Sequence, residues 1–216
     1  MMNWLKKCVW SILNLSYLGA LVQLRLKSGM KDDGWFKSFK TKRSVDANGN
    51  PIPWCTYSYI RFVEERLKNN FLVFEYGSGG STVWYSKRVK NVIAVEHNKE
   101  WVDFQLKNLP KNVSVIYKND KQANDYENEI AQHSTLFDVV IVDGVKRNEC
   151  VYTSINYLSD SGVIVYDNSQ LEEYKSSIDF LLSKNFKRID FWGLTPIIAH
   201  NNCTSIFYRE NNCLGI

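Results

Sequence analysis

The sequence predicts an α/β fold, a doubly wound and mostly parallel sheet with helices on both faces. Three observations predict it. Short, nearly unbroken apolar runs recur along the chain, as in strands buried on both faces. Stretches with helical spacing separate the first five of them. Glycines or acids stand just after successive runs, where such sheets bind ligands. The chain has 216 residues, 44% hydrophobic and 23% charged, enough for a full core without covalent staples. Its five cysteines are scattered, with no C-x-x-C, which argues against a disulfide framework or a zinc ribbon and for a reducing, cytoplasmic compartment.

The N-terminal segment comes first. Residues 1–43 hold nine basic residues and two acids, a net +7, while the other 18 basic and 21 acidic residues give the body −3. A mildly acidic body is the wrong footprint for nucleic acid. Cys8 to Leu24 is an uncharged run between Lys6-Lys7 and Arg25. It is short of the ~20 residues that span a bilayer. A poor cleavage site at Leu18-Gly19-Ala20 argues against a signal peptide. Three readings follow: a helix packed on the body or on a second subunit, as in a homodimer; an interfacial helix over residues 4–27 at the anionic inner face of a membrane; or a transmembrane anchor. Residues 28–54 read as linker and turn, from Ser28-Gly29, Asp33-Gly34 and Asn48-Gly49-Asn50-Pro51. Trp35, Phe36, Phe39 and Trp54 in that stretch either line a substrate cleft or tack it to the core. The division is thus 1–54, a basic helix with a linker or substrate-lid segment, and 55–216, the main domain.

The core then alternates. A helix is predicted near 56–69, a strand at 71–76, a helix near 81–89 and a strand at 91–96. A helix near 98–108 is stopped by Pro110. A strand at 112–117, a polar helical stretch at 122–133 and a strand at 137–143 follow. A helix near 147–158, a strand at 162–167 and a helix near 171–184 complete the alternation. The last two strands, 186–192 and 204–209, have no helix between them, which suits antiparallel pairing at one edge. Cys150 and Cys203 read as core.

Ligand-binding residues belong at the strand ends. The first strand runs into Glu75-Tyr76-Gly77-Ser78-Gly79-Gly80-Ser81-Thr82. Thr82 stands where a G-x-G-x-x-G dinucleotide loop needs glycine, and no Walker lysine is present. Glu75 suits a ligand with a cationic amine. Glu96 ends the second strand, 19 residues beyond Gly77, where a carboxylate accepts from both ribose hydroxyls. His97 borders the same ligand. Asp120, after the third strand, is placed to reach an adenine amino group.

These residues resemble the class I S-adenosylmethionine-dependent methyltransferases over roughly residues 56–209. EYGSGGS is similar to their E/D-x-G-x-G-x-G loop, Glu96 to their ribose acid, and FDVVIVDG to their fourth strand. The resemblance implies a Rossmann-like, seven-stranded sheet with a reversed edge strand. It implies S-adenosyl-L-methionine as cofactor, its methionine end over Gly77, Ser78, Gly79, Gly80 and Ser81. It also places Asp143 beside the donor.

For the reaction, a hydroxyl acceptor must lose a proton to a base or a metal. Asp143, Asp167 and Asn168 end neighbouring strands and offer three oxygens that suit Mg²⁺. The set resembles the metal-dependent catechol-type O-methyltransferases, and Lys146 falls where the catechol branch has its lysine base. RNEC at 147–150 departs from them. His200 and Trp192 belong to a loop that can face the acceptor. The chain is also similar to a bacterial methyltransferase branch marked by GNPIPW, FEYGSGGST, VDG with RNECV, DNS and TSIFYR, which suggests a small-molecule or glycan acceptor. The expectation is therefore O-methylation, with RNA or protein N-methylation as the alternative. A non-catalytic domain recruited to a membrane or partner is the reading from another class.

Overall fold

A computed structural model of the chain describes residues 2–123 and 125–216. All seven apolar runs form strands: β1 (Leu72–Tyr76), β2 (Asn91–Glu96), β3 (Val113–Tyr117), β4 (Phe137–Val142), β5 (Leu158–Asp167), β6 (Lys187–Gly193) and β7 (Asn202–Tyr208). They make one sheet in the order β3-β2-β1-β4-β5-β7-β6. Strands β1 to β5 are parallel. Strand β7 lies between β5 and β6 and runs against both, so the link without a helix does mark the reversed edge of the sheet.

The helices are α1 (Met2–Leu15), α2 (Leu18–Leu26), α3 (Gly29–Asp32), α4 (Trp35–Thr41), α5 (Tyr57–Glu64), α6 (Gly80–Ser86), α7 (Lys99–Gln105), α8 (Arg147–Ser154) and α9 (Lys175–Ser183). Period-two alternation sorts each central strand onto two cores. Val73, Ile141 and Val165 pack with α5 and α6 through Tyr59, Val63 and Tyr85. Phe74, Val140 and Ile164 pack with α8 and α9 through Val151 and Leu181. Burial on both faces is what the unbroken apolar runs encode. Cys150 and Cys203 are buried as expected.

Three expectations change. The helix foreseen near 56–69 ends at Glu64, and Arg66 and Leu67 close a turn onto the Val63 carbonyl. The stretch 122–133, of which residue 124 lies outside the described residues, forms turns and a short 3₁₀ segment at Glu129–Gln132 instead of a helix. Its polar groups serve tertiary partners. Asp125 accepts from Lys118 and the Asn119 amide, and the Glu127 carbonyl accepts from the buried Tyr76 hydroxyl. The turn-rich 28–54 segment contains α3 and α4. Its Asp46-to-Pro51 turn forms as read, with Asp46 Oδ1 accepting three successive amides.

Residues 33–57 are fastened to the body. The Trp35 indole donates to the Ile198 carbonyl, Asp33 pairs with Arg61, and the Tyr57 amide bonds the Leu194 carbonyl. Trp35 therefore tacks this segment to the core. Helices α1 and α2 differ. The single helix expected across Cys8–Leu24 breaks at Ser16-Tyr17, where Tyr17 takes φ 58°, and the two helices bend by 113°. Gly19 fits under the break, because a Cβ there would collide with the Asn14 amide. The apolar side chains of the pair point into solvent, so it does not pack on the body.

Candidate active site

The strand order switches between β1 and β4, so their carboxyl ends diverge and leave a crevice. A cavity of about 740 Å³ opens there. Its floor is the loop Gly77–Ser81 and the turn Asp143–Val145, and its walls come from Ile52 and Trp54, from Glu96 and His97, and from Trp101 and Gln105 of α7.

Local sequence shapes the floor. Gly77 sits at φ 94°, a conformation that strains any side chain, with its amide on the Val95 carbonyl. Gly80 lies so close to the Ile52 carbonyl that a Cβ would come within 2.8 Å of it. Segment 44–52 thus rests directly on the glycine loop and forms one wall of the cavity.

Glu75 points up from β1, 1% exposed, and accepts from the hydroxyls of Ser81 and Thr82. Thr82 in turn accepts from the Gly79 amide, 2.9 Å away, which pins the start of α6. Burial pushes the Glu75 carboxyl up to about 7, against the pull of those two hydroxyls. A cationic amine beside it would restore the charged form.

Glu96 is more heavily bonded. Its Oε2 accepts from the Ser78 amide and hydroxyl, at 3.1 and 3.2 Å. Its Oε1 accepts from the amides of His97 and Asn98, both at 2.9 Å, and the His97 ring lies 3.0 Å away. Ser78 is itself held by Gln105 and by the Trp101 indole. Glu96 therefore ties the glycine loop to β2.

Asp143 ends β4 with its side chain a quarter exposed to the cavity. Arg147, four residues on, donates to Asp143 Oδ1 and its carbonyl at 3.0 Å. It also donates to the Gly144 carbonyl at 2.9 Å, the Asp167 carbonyl at 2.5 Å and Asn168 Oδ1 at 2.9 Å. One guanidinium thus joins the ends of β4 and β5. Burial works against its charge, and Asp143 and Asp167 more than offset that. Burial, with the neighbouring Asp167, holds the Asp143 carboxyl well above the usual range. Burial also lifts Asp167 to about 6, although Thr204 donates to it.

No family model matches the chain, and no curated protein matches it. Solved structures do. A precorrin-6Y C5,15-methyltransferase of Geobacter metallireducens superposes with a TM-score of 0.56 at 16% identity, covering 71% of this chain and 87% of that one. An rRNA methylase of Streptococcus thermophilus gives 0.55 at 15%, covering 69% and 93%. A Streptococcus mutans protein assigned to the methyltransferases, in complex with SAH, gives 0.52 at 14%, covering 68% and 94%. The chain has the class I S-adenosylmethionine-dependent methyltransferase fold.

In that fold, Glu75, Gly77, Ser78, Gly79, Gly80, Ser81, Glu96, His97 and Asp143 all line one cavity. The buried carboxylate under the glycine loop and the acid at the end of β2 fit S-adenosylmethionine. Asp120 is not brought into the wall. The loop after β3 is folded by Asp125, and α7 supplies that side of the cavity.

Mg²⁺ fits the residues poorly. Of its three expected ligands, Asp143 and Asn168 already face the Arg147 guanidinium, and Asp167 accepts from Thr204. The Cys55 thiol lies near the two aspartates, with ligand atoms all within 4.8 Å. Burial raises its pKa well above normal, and a soft sulfur does not suit Mg²⁺, which takes oxygen ligands. Two expected catalytic groups also lie elsewhere. Lys146 pairs with Glu127 at 3.0 Å and holds the 122–127 turns, outside the cavity wall. His200 is exposed, and its loop contributes Ile197 to the wall in its place. Of the aromatics, Trp54 lines the cavity and Trp192 projects outward. Arg147 escaped the sequence reading. Its signal is an arginine four residues after a strand-end aspartate, on the first turn of the next helix.

Proposed function

We propose that the chain is a methyltransferase that uses S-adenosyl-L-methionine to methylate a hydroxyl oxygen on a small-molecule or glycan acceptor. The carrying observation is the set of three carboxylates, Glu75, Glu96 and Asp143, raised by successive strand ends around one cavity at the switch point. Bound there, the donor supplies an electrophilic methyl group on a sulfonium. The chain's own residues supply position and a proton acceptor. Glu75 offers a buried counter-charge for the amine, and Glu96 holds the loop and receives the ribose hydroxyls.

The acceptor proton goes to Asp143. Its carboxylate faces the cavity and, crowded by Asp167, has a raised affinity for a proton. Arg147 fixes one of its oxygens and keeps the buried pair of acids from repelling unchecked. Arg147 takes the place the catechol-type enzymes give to a metal, so the reaction is proposed to run without one. The turn Asp143-Gly144-Val145-Lys146 offers none of the stacked proline and aromatic residues of an amide-directed site, which favours oxygen over nitrogen.

The test is transfer of labelled methyl groups from S-adenosylmethionine to a panel of hydroxyl-bearing glycans and small molecules, run with EDTA. The expected label is on oxygen, at a rate unchanged by EDTA. Asp143→Asn should lose turnover by ~10²–10⁴-fold while still binding S-adenosylhomocysteine. Label on RNA or on nitrogen contradicts the acceptor class.

A further inference from the structure

We propose that the α1–α2 hairpin is a docking surface for an anionic lipid bilayer, in whose interface it lies without crossing. The first observation is exposure. Half of the exposed large apolar side chains of the described residues fall in the short stretch 4–26. Leu15 is 84% and Trp4 68% exposed. An apolar concentration of that size marks an interaction surface.

The second observation is how it is arranged. At 100° per residue, Leu5, Val9, Ile12 and Leu15 fall on one side of α1, with Lys6, Lys7, Ser11 and Asn14 opposite. Helix α2 is apolar nearly all round. Helix α1 has 14 residues and α2 nine, so at ~1.5 Å per residue both fall short of a ~30 Å hydrocarbon core. Among the described residues no single helix is long and apolar enough to cross a membrane, and the two pass that test only as a bent pair. Short, amphipathic and sharply bent, they suit shallow burial. Trp4, Trp10 and Tyr17 are the aromatics that favour headgroup depth.

The third observation selects the occupant. No acid occurs before Asp32, while Lys6, Lys7, Arg25, Lys27 and Lys31 do. In a twofold interface between copies, the same patch meets itself. Two such hairpins would bring together cations with no acid to meet them. An anionic leaflet complements them at both ends of the apolar run. Helices α3 and α4 follow the hairpin, and Lys42 and Arg43 directly beyond them line the cavity.

The test is sedimentation of the full chain with vesicles of mixed phosphatidylglycerol and phosphatidylcholine, and with phosphatidylcholine alone. Binding is expected to the anionic vesicles and to weaken with salt. Lys6→Glu with Lys7→Glu should lower it about tenfold or more. Leu5→Glu with Ile12→Glu should lower it at least tenfold on either vesicle. A thermal melt should show both double variants folded like the parent, since the hairpin stands clear of the core. Equal binding to both vesicles, or to neither, overturns the proposal. So does a discrete dimer in lipid-free solution that Leu5→Glu with Ile12→Glu dissociates, which would assign the surface to a second copy.

Discussion

The cavity wall and the N-terminal hairpin are both dense in charge and apolar surface, yet they are finished differently. At the cavity, Glu75 and Glu96 each have several partners supplied by the chain itself, and Asp143 is held by Arg147, which does not itself line the cavity. In the hairpin, Lys6, Lys7 and Lys27 enter no ion pair among the described residues, and the leucines face water. Buried polar groups must be satisfied internally because water cannot reach them. Exposed apolar groups carry no such requirement and stay incomplete until something covers them. The carboxylates at the cavity are thus satisfied within the fold, whereas the apolar side chains of the hairpin face water.

That contrast breaks most easily at Arg147. Removing one member of a buried ionic cluster leaves uncompensated charge, typically at a cost of 3–5 kcal/mol. Arg147→Met should lose about that much stability in urea titration, whereas a change at Lys6 should be silent. If Arg147→Met instead binds Mn²⁺ in a site the parent lacks, the guanidinium is confirmed as the resident cation.

The next effect is one of pH. Glu75 has an ordinary value of 4.5 and is held near 7 in the fold. The folded chain thus binds more protons between those values. Its contribution to stability is full below about 4.5 and is lost as pH rises through 7. Glu75→Gln cannot ionise. Relative to the parent it should gain about 3 kcal/mol between pH 5 and pH 8, read from paired denaturation curves. A flat difference would mean the carboxyl is ionised throughout.

Smaller effects sharpen the same division. Deleting residues 1–27 should leave S-adenosylhomocysteine affinity within about twofold, since fewer than ~0.5 kcal/mol of contacts are at stake for surface changes. Lys146→Met should leave cofactor affinity unchanged, because its partner is the buried Glu127 and not the ligand. A large loss of affinity would return Lys146 to the site.

The strands were legible because burial on both faces writes them as continuous apolar runs. The glycine loop, Glu75 and Glu96 were legible because strand ends fix where ligands lie. What escaped depends on contacts distant in sequence. Asp120, expected at an adenine, lines no part of the cavity, and Lys118 and Asn119 fold back onto Asp125 instead. Lys146, with φ 49°, reaches Glu127 and the Gln122 carbonyl instead of the cavity that its place after Asp143 suggested. Arg147 reads as an ordinary helix residue until β4 and β5 lie side by side. The kink at Tyr17 shows in the sequence only as a few polar residues within an apolar run.

The central claim is that the cavity between β1 and β4 holds S-adenosylmethionine through Glu96. Calorimetric titration of S-adenosylhomocysteine into the parent chain and into Glu96→Ala tests it most directly. A charge-assisted hydrogen bond is worth roughly 1.5–3 kcal/mol. The account predicts one site per chain in the parent, insensitive to EDTA, and affinity at least about tenfold weaker in a folded Glu96→Ala. No binding to the parent, or equal affinity in the two proteins, would contradict it.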